Sequence, residues 1–407
     1  MELTTANYKQ TEVGLIPEDW EVRTLGDIGD VKMCKRIFSY QTSKRGDVPF
    51  FKIGTFGKEP DAFISWELYQ EFRKKYSFPK EGYLLISASG TIGRTVEYKG
   101  EDAYYQDSNI IWIDNDEKLI TNKYLNYTLK VVKYKTEGST IKRLYNSIIK
   151  RSEFAIPPTI DEQKAIATAL SDVDDLIANM GKLISKKKAI KQGAMQQLLT
   201  PPHKGGKRLA GYTGEWVEKK LGDIAQMNSG GTPSSKVSEY YNGNINWVSI
   251  TDMTNTGKYI LSSGKKITEK GLQNSSARLF PIDTVLLAMY ASIGKCTIAK
   301  AEVTTSQAIL GITVNNSLDI EYLYYYLIYK KDELISQGQQ GTQSNLNKGM
   351  VQNIIMCLPQ IREQNAIAQI LSDMDSEIEK LETKKTKYQD IKQGMMQELL
   401  TGKTRLV

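Results

Sequence analysis

The chain carries one segment twice. From Asp161 to Thr200, 20 of 40 positions are identical to Arg362 to Thr401, at a constant offset of 201 residues. EQKAIATALSDVD (Glu162 to Asp174) returns as EQNAIAQILSDMD (Glu363 to Asp375), and IKQGAMQQLLT (Ile190 to Thr200) returns as IKQGMMQELLT (Ile391 to Thr401). The sequence on either side of each copy diverges. A faithful repeat flanked by diverged sequence predicts a two-fold scaffold that carries two different heads.

The repeated segments read as long helices. Leu170, Val173, Ile177, Met180 and Ile184 step by three and four, and Leu371, Met374, Ile378 and Leu381 repeat that phase. This is the seam of a coiled pair. Lys187 and Lys191 in one copy, and Lys385 and Lys392 in the other, interrupt the seam before Met195, Leu198 and Leu199, or Met396, Leu399 and Leu400, resume it. Gly193 and Gly394 each cost about 1 kcal/mol relative to Ala. A helix of about 40 residues is roughly 60 Å long, and its apolar stripe needs a partner, for which the other copy is the obvious candidate. Asp172, Asp174, Asp373 and Asp375 read as solvated helix charges, since i and i+2 do not share a face. Leu176, Leu183 and Ile190 form a second seven-residue series, read either as a docking face for partner helices or as packing within the pair.

The link LLTPPHKGGKRLAGYTGEW after the first copy resembles the tail LLTGKTRLV joined to the early segment GLIPEDW. This cyclic pattern predicts near-equivalent halves about an approximate two-fold axis, hence antiparallel helices with a head at either end. Two tandem domains on a flexible hinge are the alternative, disfavoured because two unpaired amphipathic helices are poor monomers.

The expected division is a first head (1–156), a long helix (157–200), a linker (201–215), a second head (216–359), a second long helix (360–401) and a tail (402–407). Short apolar runs bounded by glycine and charge, YLLISAS (Tyr83 to Ser89) and NIIWI (Asn109 to Ile113), read as strands. VLLAMY (Val285 to Tyr290) and AILGITV (Ala308 to Val314) stand in their place in the second head. KYLNYTLKVVK and EYLYYYLIYK read as equivalent helices. The expected class is therefore α+β: two mixed heads joined by two long antiparallel helices. Trp20 with LGDI (Leu25 to Ile28) matches Trp216 with LGDI (Leu221 to Ile224) at an offset of 196, so five residues of net insertion fall inside the second head.

Composition removes most chemistry. The 407 residues hold one histidine, His203, in the Pro/Gly link. Metal sites, Ser-His-Asp catalysis and histidine acid–base work are thereby disfavoured. The three cysteines, Cys34, Cys296 and Cys357, form no CxxC pair and read as free thiols of a reducing cytoplasm. The early residues lack a secretory pattern, and no apolar run reaches 18 residues, so no membrane span is expected. No phosphate-binding P-loop, HExxH or GxSxG is present. No catalytic residue and no cofactor of this chain's own is expected. The net charge of +7 permits nucleic-acid binding without demanding it.

What the heads offer is loops mixing cations, amides, hydroxyls and aromatics, the groups that reach base edges and phosphates. In the first head these are Lys32, Lys35, Arg36, Tyr40, Lys44 and Arg45 in KMCKRIFSYQTSKRG. Ser89 and Arg94 belong to the glycine turn SGTIG and its flank, and Lys142 and Arg143 to GSTIKRLYNS. In the second head they are Ser229, Thr232, Ser234, Ser235 and Lys236 in and after NSGGTPS. Tyr290 precedes SIGK, which ends at Lys295, and Gln343, Ser344 and Asn345 lie in GTQSNLNKG. Any one of these taken alone is equally a solvated surface residue. The glycine phrases read as turns, with phosphate cradling as the alternative. Equivalent loops with different chemistry suit two readers of two different sequences.

With EQ-x-AIA-x-x-LSD-x-D, IKQG-x-MQ-x-LLT, the W…LGDI phrases and NSGGTPS in view, the chain resembles the DNA-specificity (S) subunit of type I restriction–modification systems over essentially its whole length. The resemblance implies two target-recognition heads, each reading half of a bipartite double-stranded DNA target, with the helices as spacer and dock. It implies two modification subunits that bind S-adenosylmethionine and methylate adenine, and restriction subunits that join for cleavage. The chain itself would be non-catalytic. The first head reads VKMCKRIFSYQ where the second has SGGTPS, so the details of that loop do not transfer. The main rival reading is a fragment of a catalytically self-sufficient restriction–methylation enzyme, and a further one is a protein-binding scaffold with two heads on a coiled-coil spacer.

Overall fold

A computed structural model describes residues 7–134, 144–338 and 345–406. The chain is α+β. Two helices of 39 residues, Ile160–Leu198 and Ile361–Leu399, each follow a head built of short antiparallel-rich sheets. The chain divides into two compact units. One holds Met1–Met180 and Lys384–Val407, the other Gly181–Thr383. Each unit thus contains one head, part of its own helix and part of the other repeat's helix.

The two heads share a topology that their sequences hide. In the first unit the central sheet runs Val31–Lys32, Ile110–Ile113, Leu84–Ser87, Thr95–Glu97, antiparallel throughout. In the second unit it runs Ala225–Ser229, Ile309–Val314, Val285–Ala288, Cys296–Ala299, with Tyr259–Ile260 added in parallel at the edge. The middle strands read as continuous apolar runs because both faces are buried. A second sheet repeats as well. Val48–Phe51 pairs antiparallel with Phe63–Ile64 and parallel with Tyr104–Tyr105. Tyr241–Val248 pairs in the same senses with Lys265–Ile267 and Val303–Thr305. The extra length of the second head falls between Val248 and Lys265. Helix Ile250–Asn255 and strand Tyr259–Ile260 stand there, where residues 52–62 of the first head form turns.

A third pairing closes each head onto its helix. Glu21–Thr24 pairs with Glu153–Ile156, and Val217–Lys220 pairs with Ile355–Leu358. The LGDI phrases follow at once. Leu25, Ile28, Leu221 and Ile224 are buried. A Cβ on Gly26 would lie 2.9 Å from the Lys150 carbonyl oxygen, and one on Gly222 would lie 3.0 Å from the Gln352 Cβ. Glycine is needed there for close approach.

The helices run antiparallel. In the first unit Asp174 meets Lys392, and upstream Glu162 meets Arg405, just beyond the second helix. In the second unit Lys191 meets Asp375 and Lys187 meets Glu377. Among the seam residues, Leu170, Met180, Ile184, Leu371 and Ile378 are buried, and Val173, Ile177, Met374 and Leu381 are half-buried. Leu170 joins Leu399 and Leu400 in the core of the first head, and Leu371 joins Met195 and Leu199 in that of the second. Burying one such leucine contributes roughly 1.5–3 kcal/mol. Asp172 and Asp373 are exposed, as expected of solvated helix charges, but Asp174 and Asp375 are not. Asp174 and Asp375 each accept a lysine and a tyrosine hydroxyl, from Tyr127 at 2.9 Å and Tyr325 at 2.8 Å. Three of the lysines that break the seam, Lys187, Lys191 and Lys392, therefore have defined partners.

Candidate nucleic-acid interface

The EQ phrases position the heads. Gln163 accepts from the Thr121 amide and donates to the Leu119 carbonyl, holding the start of helix Asn122–Val131. Gln364 accepts from the Asp319 amide and donates to the Ser317 and Pro359 carbonyls, holding the start of Ile320–Tyr329. The neighbouring glutamates are buried, Glu162 at 2% exposure and Glu363 at 0%. Each meets one arginine. Arg405 clamps Glu162 and reaches Asp19 through two bonds of 2.9 and 3.0 Å. Arg208 meets Glu363 at 2.7 Å and donates to the Thr213 and Gly214 carbonyls. Link and tail, alike in sequence, thus perform the same closure.

The glycine phrases are hairpin turns. SGTIG joins Leu84–Ser87 to Thr95–Glu97, with Gly90 at φ +67° and Gly93 at +77°. The second head makes the same turn with Ala291 at +48° and Gly294 at +77°. The Gly93 and Gly294 amides bond back to Ser87 and Ala288. The adjacent cations also turn inward. Arg94 donates to the Gly57 carbonyl at 3.2 Å, and Lys295 to the Thr256 carbonyl at 3.0 Å. Ser89 donates to Asn109 at 2.8 Å, while Tyr290, at the same place in the second head, is exposed.

The loop after the first sheet strand is an exposed candidate surface of the first head. Lys32 is engaged with Asp114 at 2.6 Å, which also accepts the Tyr83 hydroxyl. The hydrogen bond from Lys32 holds the Asp114 carboxyl below the usual range, and Asp114 in turn raises Lys32. Arg36 pairs with Asp107 at 2.9 Å. Lys35, Lys44 and Arg45 are exposed. Phe38, absent from the sequence-based candidates, stacks on Tyr40 with ring centroids 5.8 Å apart, although Tyr40 is 83% exposed. The two rings thus present an exposed, stacked aromatic surface.

In the second head the corresponding loop is pinned. Gly230 and Gly231 are buried. Trp247 donates its indole N–H to the Gly231 carbonyl, and Thr232 bonds Gln307. Ser234, Ser235 and Lys236 are exposed, and Ser229 is half-buried. Ser229 lines a cleft with two cations: Arg278, outside every candidate stretch, and Lys348, inside the candidate loop GTQSNLNKG but not singled out there. Only the fold brings these three together. Asn345 is half-buried. Lys142, Arg143, Gln343 and Ser344 lie outside the described residues.

Leu176, Leu183 and Ile190 are exposed on the first long helix, at 37%, 40% and 48%. Among the described residues no group of three or more His, Cys, Asp or Glu could hold a metal ion, and no helix is long and apolar enough to cross a membrane.

Residues 17–188 and 213–389 both match the family described as "Type I restriction modification DNA specificity domain". The chain belongs to the type I restriction–modification DNA specificity family. Among curated members, a putative type I restriction enzyme specificity subunit of Haemophilus influenzae is 56% identical over 170 residues, covering 42% of this chain and 44% of that protein. The chain thus aligns with less than half of that relative. The putative MjaX specificity subunit of Methanocaldococcus jannaschii is 28% identical over 98% of this chain and 97% of its own length. The crystal structure of the S subunit from M. genitalium matches with a TM-score of 0.59 at 16% identity, covering 98% of each chain. A structure described as bearing on complex assembly and conformational transition of the type I R-M system matches with a TM-score of 0.61 at 15% identity, covering 96% of this chain and 99% of that one. These two likenesses extend the shared family fold along the length of the specificity chain.

Proposed function

We propose that this chain is the non-catalytic specificity subunit of a cytoplasmic type I restriction–modification complex. Each head reads one half of a bipartite duplex DNA target. The observation that carries this reading is one sheet topology in both heads with different loops on it. An exposed Phe38–Tyr40 stack with Lys35, Lys44 and Arg45 follows the first sheet strand of one head. A glycine-pinned, hydroxyl-rich loop follows that of the other. A common frame with unlike contact chemistry suits two half-sites of unlike sequence.

Adenine methylation and its S-adenosylmethionine belong, on this reading, to two modification subunits, and cleavage to restriction subunits. The exposed Leu176, Leu183 and Ile190 are candidate docking residues for the former. The test is a head exchange. Residues 20–156 are replaced by those of another family member, and the complex with its modification subunits is read out by long-read methylome sequencing. One half of the methylated sequence changes and the other stays. A change in both halves, or methyl transfer by the purified chain alone, overturns the reading.

A further inference from the structure

The NSGGTPS phrase is accounted for by neither the hairpin turns nor the helix joints. Its glycines sit where two backbone segments touch. A Cβ on Gly231 would lie 2.3 Å from the Ser276 carbonyl carbon, and one on Gly230 would lie 2.2 Å from the Thr305 carbonyl oxygen. The turn is therefore pressed against residues 276 and 277, and Ser229 is carried to the rim opposite. Ser275 stiffens that far wall, donating to the Gly271 carbonyl at 2.7 Å and accepting from the Ala277 amide at 3.2 Å.

The resulting cleft is lined by Asn228, Ser229, Ser275, Ser276, Arg278 and Lys348 around the glycine turn and Ala277. Among the described residues no carboxylate lines it. Arg278 and Lys348 are exposed. A cleft of hydroxyl and amide groups with two cations and no acid is complementary to an anion. Hydroxyls and cations of this kind hold nucleic-acid backbones in register without reading sequence.

We propose that this cleft seats a backbone phosphate of the half-site read by the second head, with Arg278 and Lys348 as its charged contacts. The inference rests on the DNA-reading function above and adds a site to it. Arg278 and Lys348 then act as positioning residues, which fix the second head on the duplex while other loop residues read bases.

The test uses the full chain in complex with its modification subunits. The probes are a duplex carrying the sequence found methylated in the source genome and a scrambled duplex of the same length. Affinity is measured by fluorescence anisotropy across a salt series. Arg278→Gln and Lys348→Gln each weaken binding to both duplexes alike and lower the slope of log affinity against log salt by about 1, and the double variant by about 2. Arg278→Lys keeps most of the slope. Lys266→Gln, on an exposed strand outside the cleft, leaves it unchanged, and unchanged melting curves for all variants exclude misfolding. If the double variant retains the wild-type slope while the wild type binds its target, the phosphate seat is wrong and the DNA-reading function stands. If the methylated sequence changes in its second half, the cleft reads bases instead, which also overturns the proposal. If the wild-type complex does not prefer its target, the function itself has failed.

Discussion

Lys191 and Lys392 hold the same position in the two repeats, and each ion-pairs with the aspartate of the opposite copy. Lys191 Nζ lies 2.5 Å from Asp375, and Lys392 Nζ lies 2.5 Å from Asp174. Each lysine also sits near the ring of the tyrosine that bonds its aspartate, 5.2 Å from Tyr325 and 5.6 Å from Tyr127. Lysine, aspartate and tyrosine thus form a triad in each unit, joining both helices to the head. Because the pairs are partly shielded, loss of one costs roughly 1 kcal/mol. Lys191→Ala and Asp375→Ala are expected to be non-additive in thermal melts, whereas Lys191→Ala and Lys392→Ala add. Additivity of the first pair would deny the coupling.

The arginine closures are more deeply buried. With the arginines in place Glu162 is 2% exposed and Glu363 0%, so removing Arg405 or Arg208 strips a buried glutamate of its ion-pair partner. An unpaired buried charge costs about 3 kcal/mol or more. Arg405→Ala and Arg208→Ala therefore each lower the denaturation midpoint by that order, and Glu162→Gln on the Arg405→Ala background recovers part of the loss. Urea titration measures both.

The Phe38–Tyr40 pair separates binding from stability. Both rings are exposed, so replacing both by alanine leaves the melting temperature within about 1 °C, since surface changes of this kind are within about 0.5 kcal/mol. Duplex affinity falls by about tenfold if the stack engages DNA, a change of roughly 1.4 kcal/mol. An unchanged affinity removes the pair from the interface.

The ion-pair registers of the two units agree, and the unit divide falls near Lys182 and Thr383. Seven residues inserted after Lys182 and after Thr383 keep the seam in phase and lengthen each helix by roughly 10 Å. If the helices set the gap between half-sites, the methylated motif gains about three base pairs of spacing, at 3.4 Å each. An unchanged gap in the methylome argues against a ruler.

Cys34 and Cys296 are buried, and burial pushes each thiol up to about 12. Thiolate is the reactive form, so at pH 8 iodoacetamide labels them at least about a hundredfold more slowly in the native protein than in urea. Mass spectrometry of the labelled peptides measures the ratio. The folded values are raised, so the stability these thiols contribute is complete below the unfolded pKa near 8.5. It is lost as pH rises toward 12, and the melting temperature falls on that alkaline side.

What the sequence made legible was what is local or repeated. Leu170 and Leu371 announce their burial through three-and-four spacing, and the paired strands announce theirs through apolar runs between turns. The likeness of link and tail was legible too, though that Arg208 and Arg405 seek Glu363 and Glu162 was not. Lys32 is engaged by Asp114, 82 positions away, and Arg36 by Asp107. Arg94 and Lys295 are tied to backbone carbonyls. In each case the occupying group is distant in sequence, so a free cation and an engaged one look alike. Asp174 and Asp375 misled for the same reason. Arg278 stands in an unremarkable stretch, and Lys348, though inside the candidate loop GTQSNLNKG, becomes its neighbour only when the chain folds.

The repeated glutamate–arginine closures have a consequence for inheritance. The fittings at each joint, Glu162 with Gln163 and Glu363 with Gln364, are the same residues in both places, and the arginine that completes each is the same type. The heads they carry have no such sameness. Genetic exchange with its crossover inside the repeated stretches would deliver a foreign head already equipped with matching joints. On the proposed function, such a chain acquires a new specificity in one event, and the other head and the rest of the helices are left untouched.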